Sequence, residues 1–251
     1  MYLVLCNSYD VAAHWAFKGL KERGLAPIEL FTPESLVYSR LFEHKISSRT
    51  TSLKIVTSDG RQIESKNILG VLNRIQTVPF EYLKTRKEDR EYCQHELYAL
   101  FLSWLYCLPG PVFNPATPQG LSGRLRHASE WSKVANLAGL NTAEYLQSSS
   151  ETGDLSYRNS GRLVPPQTPT RTIFVVQSNV VSKDVPLGVV NGCRRIAELT
   201  QTPLLGVDFV VSPNDLWIFA GASPYHNLML GQEPLLDALA EALQKKGGWH
   251  R

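Results

Sequence analysis

Leu204-Leu-Gly-Val-Asp-Phe-Val-Val211 is followed, after a short polar turn, by Asp215-Leu-Trp-Ile-Phe-Ala-Gly-Ala-Ser-Pro224. The first run is apolar apart from one charge and reads as a buried strand; the second reads as the strand that returns beside it. Asp208 is that charge, an ionisable residue set between apolar neighbours. It reads first as a structurally hydrogen-bonded carboxylate and second as a general base. Tyr225-His226 follows Pro224 in a loop, and histidine is the usual acid–base side chain near neutral pH.

Working outward, residues 234–246 have the spacing of an amphipathic helix. Upstream, residues 171–183 alternate as a hairpin around Gln177-Ser-Asn179, and a short helix is expected over 192–199. Residues 148–169 carry Ser148-Ser-Ser150, Pro165-Pro166 and few apolar residues, the composition of a long flexible segment. A helix is expected over 121–138, ending at Gly139, and Tyr145-Leu146 is expected to begin a strand. The helix over 88–107 is broken by Pro109-Gly-Pro111. At the N-terminus, Tyr2 to Cys6, a helix from Val11 and a second strand ending at Phe31 give a βαβ opening without a glycine-rich phosphate loop. Asp59-Gly60, between two alternating runs, predicts a tight type I′ hairpin turn.

Composition is ordinary for a globular chain of 251 residues, with 43% hydrophobic and 20% charged residues. The net charge of +3 is too small to argue for nucleic acid without a localised patch. The four cysteines, Cys6, Cys93, Cys107 and Cys193, form no Cys-x-x-Cys pair and read as reduced, mostly buried thiols of a cytoplasmic protein. No apolar run is long enough to span a bilayer, so no membrane partner is expected. Neither a Gly-x-Ser-x-Gly elbow nor a His-Glu-x-x-His motif is present.

The order of elements resembles the ATP-grasp family, closest to its branch acting on ribosomally made peptides and to ribosomal-protein glutamate ligases. The resemblance is carried by Gly70-Val-Leu-Asn-Arg74, Val112-Phe-Asn-Pro115, Ala138-Gly-Leu140, the hairpin at 173–182 and the strand pair around Asp208. It implies an α/β fold: a pre-ATP-grasp domain over residues 1–115, then a truncated ATP-grasp-like domain over 116–251, lacking the nucleotide-binding lobe and containing the flexible segment 148–169. Members close on a Gly-x-Asp-Phe-like strand and a second strand reading Phe-Leu-Glu-x-Asn-Pro. The Asp, Glu and Asn hold the Mg²⁺ that bridges the ATP phosphates. Here Asp208 remains, while Gly221 and Ser223 stand at the Glu and Asn positions. The lobe expected between Leu140 and Ile173 is replaced by the polar 148–169 segment. The nucleotide-contacting lysine position falls near His127-Ala128, with Lys133 at the wrong offset.

These departures make the chain similar to a group of truncated, degenerate ATP-grasp-like proteins of ribosomal peptide (RiPP) biosynthesis, including the crocagin pathway. That resemblance implies a binder of a ribosomal precursor peptide, with no cofactor and no metal, serving a modifying enzyme of the same pathway. Two alternatives stay open: an enzyme that cyclises or isomerises the peptide in the old cleft through Asp208 or His226, and a residual ATP-grasp peptide ligase. Loss of the lobe is expected to uncover the edge of the 171–183 hairpin, so Thr172, Ile173, Phe174, Val175 and Val176 are the expected docking strand. Arg194 and Arg195, like Arg124 and Arg126, are suited to hold acidic peptide side chains. The same edge pairing with its copy in a homodimer is the alternative.

Overall fold

The computed structural model describes residues 1–80, 85–143, 145, 163–164 and 168–245. The elements run Tyr2–Cys6 (β1), Val11–Glu22 (α1), Ile28–Phe31 (β2), Pro33–Val37 (α2), Leu41–Ile46 (β3), Thr51–Val56 (β4), Gln62–Glu64 (β5), Gly70–Arg74 (β6), Arg90–Tyr106 (α3) and Val112–Phe113 (β7). They continue with Ala128–Leu137 (α4), Arg171–Val176 (β8), Asn179–Val181 (β9), Leu187–Thr200 (α5), Leu204–Val211 (β10), Trp217–Ser223 (β11) and Gln232–Gln244 (α6). The α/β class expected from the sequence is the one observed. Among the described residues no helix is long and apolar enough to cross a membrane.

Chain contacts divide the molecule into two compact units, Met1–Arg124 with Leu239–Arg251, and Leu125–Ala238. The first break falls after Arg124, where the sequence suggested residue 115. Asn73 supplies a reason: its buried Nδ2 donates to the carbonyls of Asn114 at 3.0 Å and Leu121 at 2.7 Å, tying the segment beyond residue 115 to β6. The same tether, with bridges at Thr117–Gly120 and Leu121–Gly123, keeps that segment extended. The helix expected from residue 121 accordingly begins only at Ala128, where His127 caps it by accepting from the Ser129 N–H.

In the first unit β2, β1, β6 and β7 form a parallel sheet in that order, and β3, β4 and β5 form an antiparallel one. Asp10 opens α1 by accepting from the Ala13 N–H at 3.0 Å. Phe101, Trp104 and Leu105 on α3 pack with Leu3, Leu5 and Val71 of the parallel sheet and with Leu53 and Ile55 of β4 in one core. β3 was missed by the sequence reading, because its residues are half-buried or exposed and do not alternate cleanly. The Asp59-Gly60 turn is longer than a type I′ turn. Five residues separate β4 from β5, and Asp59 folds back to Thr57 and to the Arg61 side chain. Those hydrogen bonds, Thr57 first, hold the Asp59 carboxyl down at about 2.

The second unit is built on an antiparallel sheet in the order β11-β10-β8-β9. Alternation puts Ile173, Val175, Leu205, Val207 and Phe209 on one face, against Trp131 and Ala135 of α4 and Cys193, Ile196 and Ala197 of α5. Gly192 lets α5 approach closely, since a Cβ there falls 2.3 Å from a Leu140 methyl. Helix α5 runs well beyond the short helix expected over 192–199. The segments expected as the flexible stretch and as a strand at Leu146 lie largely outside the described residues. Tyr145 itself is not in a strand, and Leu163 is buried in the core beneath the sheet. All four cysteines are free, and burial pushes the Cys6 and Cys193 thiols up to about 12, so both stay protonated.

Candidate active-site cleft

The site grows from the register of three strands. Asp208 on β10 lies opposite Gly221 on β11 and opposite Thr172 on β8; two residues earlier, Gly206 lies opposite Ser223 and Phe174. Alternation turns these six positions to one face, away from the face covered by α4 and α5. A bulge between Asp208 and Phe209 shifts the register of β10 on β11 beside the carboxylate.

Two donors converge on Asp208. Thr172 Oγ1 donates to Oδ1 at 2.6 Å, and His226 Nε2 lies 3.0 Å from Oδ1 and 2.8 Å from Oδ2. The His226 ring crosses β10 directly over Gly206: a Cβ at that position would meet His226 Cβ and Cγ at 2.5 Å. The Phe174 ring meets it edge-on, with centroids 5.7 Å apart. His226 Nδ1 is buried. A histidine acting as general base is held by a carboxylate at one ring nitrogen and presents the other to substrate. Here Nε2 faces Asp208 and Nδ1 faces the interior, an arrangement suited to holding the carboxylate rather than to moving a substrate proton.

Asp208, Gly221, Ser223 and His226 line a cleft of about 520 Å³, with Arg126 and Trp131 among its other walls. The Arg126 guanidinium stacks over the Trp131 ring at 5.3 Å and donates to the Thr200 carbonyl at 3.2 Å. Of the arginines singled out in the sequence, Arg126 is thus brought into the cleft. Arg194 instead donates to the Ser178 carbonyl in the β8–β9 turn at 3.0 Å and to Asn191, and Arg195 pairs with Glu198 at 3.4 Å.

The expected docking strand needs correction in one respect. β8 is flanked by β10 on one side and, over Phe174 to Val176, by β9 on the other. Ile173, Phe174, Val175 and Val176 are each 1% exposed or less, so their side chains belong to the core. Thr172 faces the cleft as the partner of Asp208. The outer strand of the hairpin is β9, which has no neighbour beyond it among the described residues. Period-2 alternation could place β8 in a hairpin but could not say which of its strands would lie at the rim.

Mg²⁺ requires near-octahedral oxygen ligation, usually one or two carboxylates with waters and phosphate. The side chains here do not fit it. Gly221 offers no side-chain oxygen, the Ser223 hydroxyl accepts from the Tyr225 N–H at 3.0 Å, and both oxygens of Asp208 are already engaged by Thr172 and His226. Among the described residues no three His, Cys, Asp or Glu side chains come together as a metal site.

No family model and no curated protein matches the sequence. Solved structures do match. The macrocyclase MdnC from Microcystis aeruginosa MRC, bound with precursor peptide MdnA, superposes with a TM-score of 0.71 at 14% identity, over 96% of this chain and 98% of that one. The ATP-grasp ligase PsnB, complexed with a minimal precursor, Mg and ADP, gives 0.66 at 15% identity, over 97% and 98%. A Chryseobacterium gregarium RiPP-associated ATP-grasp ligase, in complex with ADP and a leader and core peptide, gives 0.63 at 9% identity, over 96% of each chain. The fold is that of the ATP-grasp ligases. Within it, Asp208 stands opposite Gly221 in the strand pair on which the resemblance rests.

Proposed function

We propose that this chain binds a ribosomally made precursor peptide for a modifying enzyme of the same RiPP pathway, on an ATP-grasp scaffold that uses neither ATP nor metal. The observation that carries the reading is the state of the cleft: Asp208, the one acidic residue among its described walls, is held by Thr172 and His226, and the facing position is glycine. The three similar structures above were all solved with precursor or leader and core peptides, which makes a peptide the natural partner for the fold once nucleotide chemistry is set aside.

The docking place that fits best is the rim of the second sheet. An open edge presents unpaired N–H and C=O groups, and an extended peptide satisfies them by adding a strand. Among the described residues β9 is such an edge, and Arg194 fixes its turn against α5 while Arg195 lies exposed one residue further on. Arginines in that position suit acidic side chains on the incoming strand. The same edge pairing with a second copy gives a homodimer.

Hydrogen exchange distinguishes these outcomes. Synthetic peptides encoded by short reading frames beside the gene are added at saturation. New protection at residues 179–181 is expected, with little change in the already paired 171–176. Protection of 179–181 that depends on protein concentration alone assigns the edge to a dimer, and no change at either concentration or with peptide sinks the docking reading.

A further inference from the structure

We infer that His226 is a built-in occupant of the place beside Asp208 where a ligase of this fold holds its divalent cation, so the cleft stays closed to metal even when the lost ligands are put back. Three features make the histidine a fixture rather than a passing contact. Its Nε2 reaches both carboxylate oxygens, at 3.0 and 2.8 Å, as one bifurcated donor, and with Thr172 at 2.6 Å both oxygens of Asp208 are engaged. Its ring needs a bare backbone beneath it, and Gly206 provides one, since any Cβ there would stand 2.5 Å from the ring carbon Cγ. Phe174, itself 1% exposed, closes the side of the ring edge-on at 5.7 Å.

The facing strand is different in kind. A Cβ built on Gly221 meets nothing within 4 Å, so a longer side chain there has room. Position 221 is therefore a simple loss, reversible by one substitution. Position 226 is a gain, and it blocks the ion by holding the one carboxylate that remains. Restoring the donors at 221 and 223 is predicted to be insufficient, and removing His226 to be decisive.

The inference rests on the proposed loss of nucleotide chemistry, yet it is tested with Mn²⁺ alone, so its failure is separable from a failure of peptide docking at β9. Free Mn²⁺ is followed by electron paramagnetic resonance against the wild type, Gly221→Glu/Ser223→Asn, and Gly221→Glu/Ser223→Asn/His226→Ala, each checked for a cooperative melt. The triple variant is expected to bind at least tenfold more tightly than the double variant that keeps His226. Equal affinity in the two, or a folded triple variant no better than wild type, overturns the inference. A second readout needs no metal. Gly206→Ala is expected to lower Tm by roughly 3–10 °C in the wild type, as overpacking does, and by less than half as much in a His226→Ala background. An equal loss in both backgrounds shows that Gly206 does not serve the histidine.

Discussion

The Arg74 side chain is 2% exposed and that of Asp10 is 4%; Nε donates to Oδ2 at 2.7 Å and a terminal nitrogen to Oδ1 at 3.3 Å. Such a pair carries a large desolvation cost that its own geometry offsets, so the asymmetry between breaking it and replacing it is the informative quantity. Asp10 also opens α1, which joins helix start and ion pair in one residue. Asp10→Asn is expected to cost about 3–5 kcal/mol in urea unfolding. Asp10→Asn combined with Arg74→Met is expected to recover part of that loss. A double variant less stable than Asp10→Asn would show that the guanidinium is held mainly by other contacts. The pair was not legible in the sequence, because the 64 residues separating its members hide it until β1 and β6 lie side by side.

At the scale of elements, the proposed docking at β9 can be tested strand by strand. Next to the two-residue turn Gln177-Ser178, Val176 and Asn179 form the hydrogen-bonded pair, so Val180, opposite Val175, turns its N–H outward. Val175 turns its own N–H toward Leu205 on β10. Proline at the two positions therefore has opposite consequences. Val180→Pro removes an edge donor and trims a half-buried side chain packed on the core, and is expected to cost no more than about 1.5 kcal/mol while weakening peptide binding at least tenfold by fluorescence anisotropy. Val175→Pro removes an interior ladder bond and is expected to cost at least about 2 kcal/mol. Full peptide affinity in Val180→Pro would exclude β9 as the docking strand.

The molecule as a whole has an ATP-grasp fold over nearly the full length of its structural neighbours, and the proposed function rests on a cleft in which neither ATP nor metal is used. That proposal turns on one carboxylate, one glycine and one histidine: Asp208, Gly221 and His226. Calorimetry with Mg-ATP is expected to show no saturable heat up to about 1 mM, a threshold of roughly −4 kcal/mol. A micromolar affinity would restore the ligase reading and remove the basis for the proposed role.

Sequence alone determined the strand pair around Asp208, the βαβ opening and the hairpin at 171–183, because local pattern and residue chemistry are written directly in the chain. It singled out Asp208 and His226 separately, as weak catalytic candidates. Only the tertiary structure brought them to 2.8 Å, set the ring on Gly206 and added Thr172 as the third partner. Strand order did the same for the hairpin, burying Ile173 to Val176 and leaving β9 at the rim. The physical reason is common to both: a side chain's chemistry is local, whereas what it faces depends on register and strand order, and those are set by contacts between residues far apart in the chain.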